Sequence, residues 1–342
     1  MANNIFIGPD AAKDYLDMSQ HEPTSCVELP FALGGNPQRK VREVLKMMGP
    51  ESPLHTFKIV PTYRWFREQE KAGRLVRGVT TVVISSSGGA GLASAVCANS
   101  FEVGIIVIMP EDTPVEKQTL IRRAIGKDAE GKDNGELVLF KGGPGKPTGI
   151  DVAREMGKKE NHLVFDQYGD DINWQAHEDV TIRQTFEQMD EAKLKVAFVI
   201  VAIGSSGTLI AAREYCKKHS PGTIVVAVMT QDDEPIPAVR SEKRLGPTQI
   251  LFNWREGTER VKVSRYEPYR KTVQLLQYGM KVGLSTGAAI VGANKFIDEL
   301  PPAVLESTPA NEDGSRIAVI VSGDILDPYL GQLRVILDPE DL

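Results

Sequence analysis

Val196-Ala197-Phe198-Val199-Ile200-Val201-Ala202-Ile203-Gly204-Ser205-Ser206-Gly207-Thr208 decides the fold. Seven apolar residues in a row read as a strand buried on both faces, the kind found in parallel sheets. The glycine-hydroxyl turn after it opens a helical pattern over residues 207–219. A parallel strand running through a tight turn into a helix is one half of a βαβ unit.

The same grammar recurs on either side. Residues 79–84, 103–109, 136–140, 223–229 and 316–321 read as strands, and 90–100, 114–125, 150–158 and 286–298 as helices. Pro114 suits the first turn of its helix. The stretch 231–269 is polar and is expected to be irregular. Residues 1–45 hold no complete α/β unit and are expected to pack on the second half of the chain. The expectation is an α/β protein of two three-layer αβα domains with parallel, twisted sheets.

The chain has 342 residues, 41% hydrophobic and 25% charged, enough for two domains at roughly 100–200 residues each. A net charge of −6 and a pI near 5.6 give no electrostatic reason to expect nucleic acid or an anionic membrane as partner. No apolar run approaches the ~20 residues that span a bilayer. The start, Met1-Ala2-Asn3-Asn4, lacks the basic and apolar regions of a signal peptide. Three scattered cysteines fit a reducing cytoplasm, and the five histidines show no metal-ligand spacing, so no metal is expected.

Three features carry chemistry. Gly204-Ser205-Ser206-Gly207-Thr208 lies where ligands bind in parallel sheets, at a strand's carboxyl end. Backbone amides and the helix dipole there attract a dianionic phosphate, and hydroxyls add donors. The competing reading is a plain turn with serine as the helix cap. Ser85-Ser86-Ser87-Gly88-Gly89-Ala90-Gly91 repeats that architecture and suits a carboxylate. It is neither a Walker loop nor a dinucleotide fingerprint. Lys58, flanked by Phe57, Ile59 and Val60, is a lysine whose desolvation would free its amine for Schiff-base chemistry. A stem lying on apolar surface with its head in water is the bland alternative.

In order along the chain these pieces resemble the fold-type II pyridoxal-phosphate enzymes, the tryptophan-synthase-β and cysteine-synthase-like group. Thr24 to Leu29 resembles that group's T-P-L-V-x-L, and Val44 to Met48 its K-x-E strand, with Lys46 the non-catalytic strand lysine. Leu54 to Lys58 resembles G-S-[VF]-K, and Ser86 to Gly91 resembles S/T-S-G-N-T-G. Phe165 to Tyr168 resembles the Q-F segment, Gly204 to Thr208 resembles G-T-G-G-T, and Val282 to Ala289 resembles V-G-I-S-S-G-A-A. Val321-Ser322-Gly323-Asp324 is close to the dehydratase-like L-S-G-G.

The resemblance implies pyridoxal 5′-phosphate held as a Schiff base by Lys58, the catalytic residue. It implies a phosphate cup of Gly204, Ser205, Ser206, Gly207 and Thr208, with Ser322 at the pyridine nitrogen and Gly89 beside the cofactor. Ser86, Ser87, Gly88, Ala90 and Gln167 are the implied substrate-binding residues. It further implies a smaller, mobile substrate-loop domain over 46–158 and a larger cofactor-phosphate domain formed by 1–45 plus 159–342, in a cytoplasmic homodimer.

The implied reaction is β-elimination or β-replacement on serine, an O-activated serine or a cysteine-type substrate through an aminoacrylate. A serine or threonine dehydratase (ammonia-lyase) is the runner-up, and a catalytically degenerate binding protein the reading from another class. Gly89 and Ala90 stand where the group has asparagine and threonine, which removes a donor to the cofactor. Asp324 competes with Ser322 for the ring nitrogen if the ending is aligned on P-D-S-G. The Ser-Gly-Asp turn directly after the strand favours Ser322. Arg240, Arg244, Trp254 and Arg255 are possible readers of a substrate.

Overall fold

The computed structural model describes residues 5–127, 131–143, 146–244 and 257–325. Its strands are β1 (Cys26–Glu28), β2 (Val41–Lys46), β3 (Thr81–Ser85), β4 (Gly104–Pro110), β5 (Gly135–Phe140), β6 (His162–Phe165), β7 (Val196–Ala202), β8 (Ile224–Thr230), β9 (Glu259–Val263) and β10 (Arg316–Val321).

The chain divides into two compact units, one of residues 1–22 and 58–173, the other of 23–57 and 174–342. The expected boundaries at 46 and 158 therefore move. β6 pairs in parallel with β3, which draws the chain up to Asn173 into the first unit. β2 pairs with β10, which keeps everything up to Phe57 in the second. Residues 1–22 join the first unit rather than the second, where Lys13 pairs with Glu70 at 2.7 Å and lies over the Phe101 ring.

The first unit holds a four-stranded parallel sheet in the order β5-β4-β3-β6. The helix Gly89–Ser100 follows β3, and its Ala90, Ala93, Ala95, Cys97 and Ala98 are buried. Small side chains let a helix approach a sheet closely. Val79, expected in β3, lies before it and is half exposed.

The second unit holds a six-stranded sheet in the order β1-β2-β10-β7-β8-β9. All neighbours are parallel except β1, which runs against β2. β7 is buried along nearly its whole length, as its unbroken apolar run requires. The helix Leu284–Glu299 packs across this sheet and closes one core. β9 falls within the stretch expected to be irregular, and the helix Tyr266–Gln277 begins in its last four residues. β9 reads Glu-Arg-Val-Lys-Val and buries only its two valines, the pattern of an edge strand with one wet face.

Candidate active site

In the second unit, Gly204–Thr208 carries the chain from β7 into the helix Gly207–His219. Ser205, Ser206 and Thr208 are buried there. Ser206 is the residue before the helix and takes a left-handed conformation, φ +69° and ψ −2°. Its side chain makes no capping bond, so the plain-turn reading of this serine fails. The first-turn amides of any helix have no partner within it, and here the Ser206 side chain does not cap them. The segment after β8 covers the turn, with the Arg240 amide donating to the Ile203 carbonyl at 2.7 Å. A Cβ on Gly204 would stand 3.2 Å from the Ala238 carbonyl oxygen.

A second cluster forms where β10 ends. Ser322 is fully buried, and its hydroxyl accepts a bond from Thr286 Oγ1 at 3.0 Å. Its amide donates to the Lys46 carbonyl at 2.9 Å. Two residues on, Asp324 Oδ1 accepts from Ser285 Oγ at 3.0 Å, and its carbonyl accepts from the Gly283 amide at 2.9 Å. Adjacent residues of one helix start thus grip alternate residues of the turn. A hydroxyl that accepts from Thr286 keeps its own proton to donate, whereas the Asp324 carboxylate is turned to Ser285.

Between them, the Phe57 amide donates to the Gly323 carbonyl at 2.9 Å. The Phe57 ring stacks on His177, centroids 5.0 Å apart, and a Cβ on Gly323 would come within 3.0 Å of it. His177 is fully buried at the start of a π-helical turn, His177–Ile182, an irregularity that recurs at functional sites. Lys58 is the next residue along the chain. It is half buried and heads the helix Ile59–Lys71, whose Ile59 and Val60 are buried.

In the first unit, β3 ends in the second loop. Ser86 Oγ accepts from the amides of Gly88 and Gly91, at 3.3 and 3.1 Å, and so braces the start of the helix Gly89–Ser100. Ser87 is exposed, Gly88 and Gly89 are half buried, and Ala90 is buried. A Cβ on Gly88 would meet nothing within 4 Å. Positions 89 and 90 carry no polar side chain, so they offer a ligand backbone amides only. Gln167 follows β6, which neighbours β3, and its Nε2 donates to the Ser85 carbonyl at 3.4 Å. Its own backbone carbonyl is held by Asn173 Nδ2 at 2.6 Å. A Cβ on Gly149, the first residue of the helix Gly149–Met156, would lie 2.3 Å from Ser85 Oγ and 2.9 Å from the Phe140 ring, so this position leaves little room for a side chain.

Lys46 stands apart from this chemistry. It is fully buried and donates to the Thr24 carbonyl at 2.7 Å and to Gln188 Oε1 at 2.5 Å. Burial pulls its ammonium down to about 8. Both acceptors tie it in place as a structural lysine. Thr286, Phe57, His177 and Asn173 are partners that sequence reasoning missed. Thr286 carried a signal as the second hydroxyl of the motif 282–289 and Phe57 as the residue before Lys58 in the motif 54–58, whereas His177 and Asn173 carried none. Trp254 and Arg255 lie outside the described residues, and Arg244 ends a short turn, Glu242–Arg244.

The model of the family described as "Pyridoxal-phosphate dependent enzyme" matches residues 18–323. The chain belongs to that family. Cysteine synthase B of Escherichia coli K12 is 24% identical over 261 residues, which are 75% of this chain and 80% of the relative. The crystal structure of O-ureido-L-serine synthase has a TM-score of 0.77 at 19% identity and covers 96% of each chain. That of the O-acetylserine dependent cystathionine β-synthase from Helicobacter pylori has a TM-score of 0.71 at 19% identity, covering 96% of this chain and 98% of the other.

The protein is therefore an enzyme whose cofactor is pyridoxal phosphate. Its residues fit that group. The helix start at Gly207 offers first-turn amides that Ser206 does not cap, beside a buried Ser206 Oγ that has no partner among the described residues. Ser322 offers a buried hydroxyl with a proton to give. None of the described helices is long and apolar enough to cross a membrane, and no group of three or more possible metal ligands occurs among the described residues.

Proposed function

We propose that the chain catalyses β-replacement on an O-activated serine, with Lys58 as the residue that carries the cofactor. The observation that carries this reading is the bond from the Phe57 amide to the Gly323 carbonyl, which ties the residue before Lys58 to the turn that presents Ser322. Similar proteins named for cysteine, O-ureido-L-serine and cystathionine synthesis support a reaction at the β-carbon of a serine skeleton.

When bound, pyridoxal phosphate supplies an electron-accepting ring that acidifies the substrate's α-carbon. The chain supplies the rest. The amides and hydroxyls of Gly204–Thr208 hold the phosphate. Ser322 Oγ would donate a neutral hydrogen bond to the cofactor's ring nitrogen, where a carboxylate would make the ring a stronger electron sink. The Lys58 amine would be the base that accepts the substrate's α-proton. The amides at the start of the helix Gly89–Ser100, with Ser86, Ser87 and Gln167, hold the substrate carboxylate. With glycine and alanine at 89 and 90, the space beside the carboxylate is larger than in the family motif.

The chain acts as a cytoplasmic homodimer on a small amino acid in this reading. The first test is the visible spectrum of the holoenzyme with serine, O-acetylserine, O-phosphoserine, cysteine and threonine added in turn. A spectral change with an O-activated serine alone, followed by consumption of an added thiol, supports replacement. Release of pyruvate and ammonia from plain serine overturns it in favour of a dehydratase.

A further inference from the structure

We propose that Cys26 and Lys46 form a site of oxidative modification, where hydrogen peroxide oxidises the Cys26 thiol and the Lys46 amine captures the product as a sulfur–nitrogen link. The family motif T-P-L-V-x-L has leucine where this chain carries Cys26.

Cys26 and Lys46 stand directly opposite each other in the antiparallel pairing of β1 with β2. Residues so paired carry their side chains on one face of the sheet. The next pair, Val27 and Leu45, faces the hydrophobic core, so Cys26 and Lys46 share the other face. There Gln188, on the helix Arg183–Glu191, meets both. Its Oε1 accepts from Cys26 Sγ at 3.4 Å and from Lys46 Nζ at 2.5 Å. One acceptor oxygen thus holds sulfur and nitrogen side by side. Gln188 is itself fixed by its Nε2, which donates to the Thr24 carbonyl at 3.0 Å.

Of the three cysteines only Cys26 is partly exposed. Cys97 and Cys216 are buried on the helices Gly89–Ser100 and Gly207–His219. Peroxide therefore reaches Cys26 first, and the nucleophile beside it is an amine rather than a second thiol. Burial raises the Cys26 thiol and Lys46 opposes this only in part, so the oxidation is slow and needs peroxide in excess. Burial also pulls the Lys46 ammonium down to about 8, which leaves a fraction of it as free amine near neutral pH. Glu51, whose Oε2 accepts from the Ser25 amide at 2.6 Å, is the charged group that works against this.

In the first step the O–O bond of peroxide breaks, an S–O bond forms and water leaves. Sulfur is oxidised and the peroxide oxygen reduced. In the second the Lys46 nitrogen attacks that sulfur, the S–O bond breaks, and the hydroxyl leaves as water with one amine proton. The Lys46 carbonyl holds the Ser322 amide at 2.9 Å, so one hydrogen bond ties the link to the turn that presents Ser322.

The test is peptide mapping, without reductant, of holoenzyme treated with excess hydrogen peroxide. Cys26 and Lys46 should appear in one cross-linked peptide, about 2 Da lighter than its two parts together. Dithiothreitol should restore both parts. Lys46→Arg should give no link, and its Cys26 should go on to sulfinic acid, about 32 Da heavier. The map of the parent decides the matter even if Lys46→Arg fails to fold. Sulfinic acid on the parent's Cys26 without a link would overturn the proposal, as would an unmodified Cys26. A cross-linked peptide about 14 Da heavier than its parts would put an oxygen between the two atoms and overturn the direct bond.

Discussion

Thr286 Oγ1 donates to Ser322 Oγ at 3.0 Å, and both residues are fully buried. That bond occupies one acceptor site of the Ser322 oxygen and leaves its proton to be donated elsewhere. Thr286→Val removes the donor while keeping the shape. It leaves a buried acceptor unpaired, so stability should fall by about 1–2 kcal/mol in a denaturant titration. With Ser322 at the ring nitrogen as proposed, the loss of this support should also lower kcat roughly 3- to 10-fold, the order-of-magnitude cost of one neutral hydrogen bond. Ser322→Ala should cost at least as much. A Thr286→Val enzyme with parental kcat would mean that Ser322 needs no support.

Lys58→Ala should remove the lysine-linked absorbance of the holoenzyme. In the parent, reduction with borohydride followed by peptide mapping should place the cofactor's mass on Lys58. Recovery of that mass on Lys46 would reverse the assignment. The full burial of Lys46 and its bonds to Thr24 and Gln188 argue against this result.

Gln167→Ala should raise KM for the amino acid on the order of 10-fold with a smaller change in kcat, as expected for a lost bond to a charged carboxylate. Asn173→Ala should move KM in the same direction by less, since Asn173 acts by holding the Gln167 backbone. Equal KM values in all three proteins would exclude Gln167 from the substrate site.

Glu43 in β2 is fully buried, and burial pushes its carboxyl up to about 8, opposed only in part by the Gly35 amide and Lys271. The Gly35 amide meets hydrogen-bond geometry with Asn294 Oδ1 instead, at 3.2 Å. A raised folded value means that the folded state holds this proton more tightly than the unfolded chain does. Its contribution is complete below the ordinary value of 4.5 and is lost as pH rises to about 8. Glu43→Gln should therefore grow more stable than the parent across that window and keep a constant advantage above it. At about 1.4 kcal/mol per pKa unit the gap can reach roughly 5 kcal/mol. A stability difference that does not vary with pH would show that Glu43 is charged in the folded protein throughout.

Much of the fold was legible because strands buried on both faces are spelled as unbroken apolar runs. β7 and β10 coincide with their expected ranges, 196–202 and 316–321. β9 was illegible for the converse reason. Three of its five residues are charged, and only its pairing with β8 reveals it as a strand. The unit boundaries were misplaced because they follow strand pairing, which joins residues far apart along the chain. His162–Phe165 belongs with Thr81–Ser85, and Val41–Lys46 with Arg316–Val321.

The candidate site divides in the same way. Its loops were readable because an anion-binding turn must combine glycine, hydroxyls and a helix start within a few residues. What holds the functional groups was not. Phe57 meets Gly323, and Thr286 meets Ser322, across long stretches of chain. The choice of Ser322 over Asp324 rests on which hydroxyl of the helix Leu284–Glu299 each one meets. By itself the sequence determined the fold class, the cofactor and the positions of the glycine-hydroxyl turns, since each is a local pattern of residue types. The tertiary structure alone decided which hydroxyl meets Ser322, which lysine is locked away, and that Ser206 takes a left-handed backbone. Those depend on burial and on partners brought together only by folding.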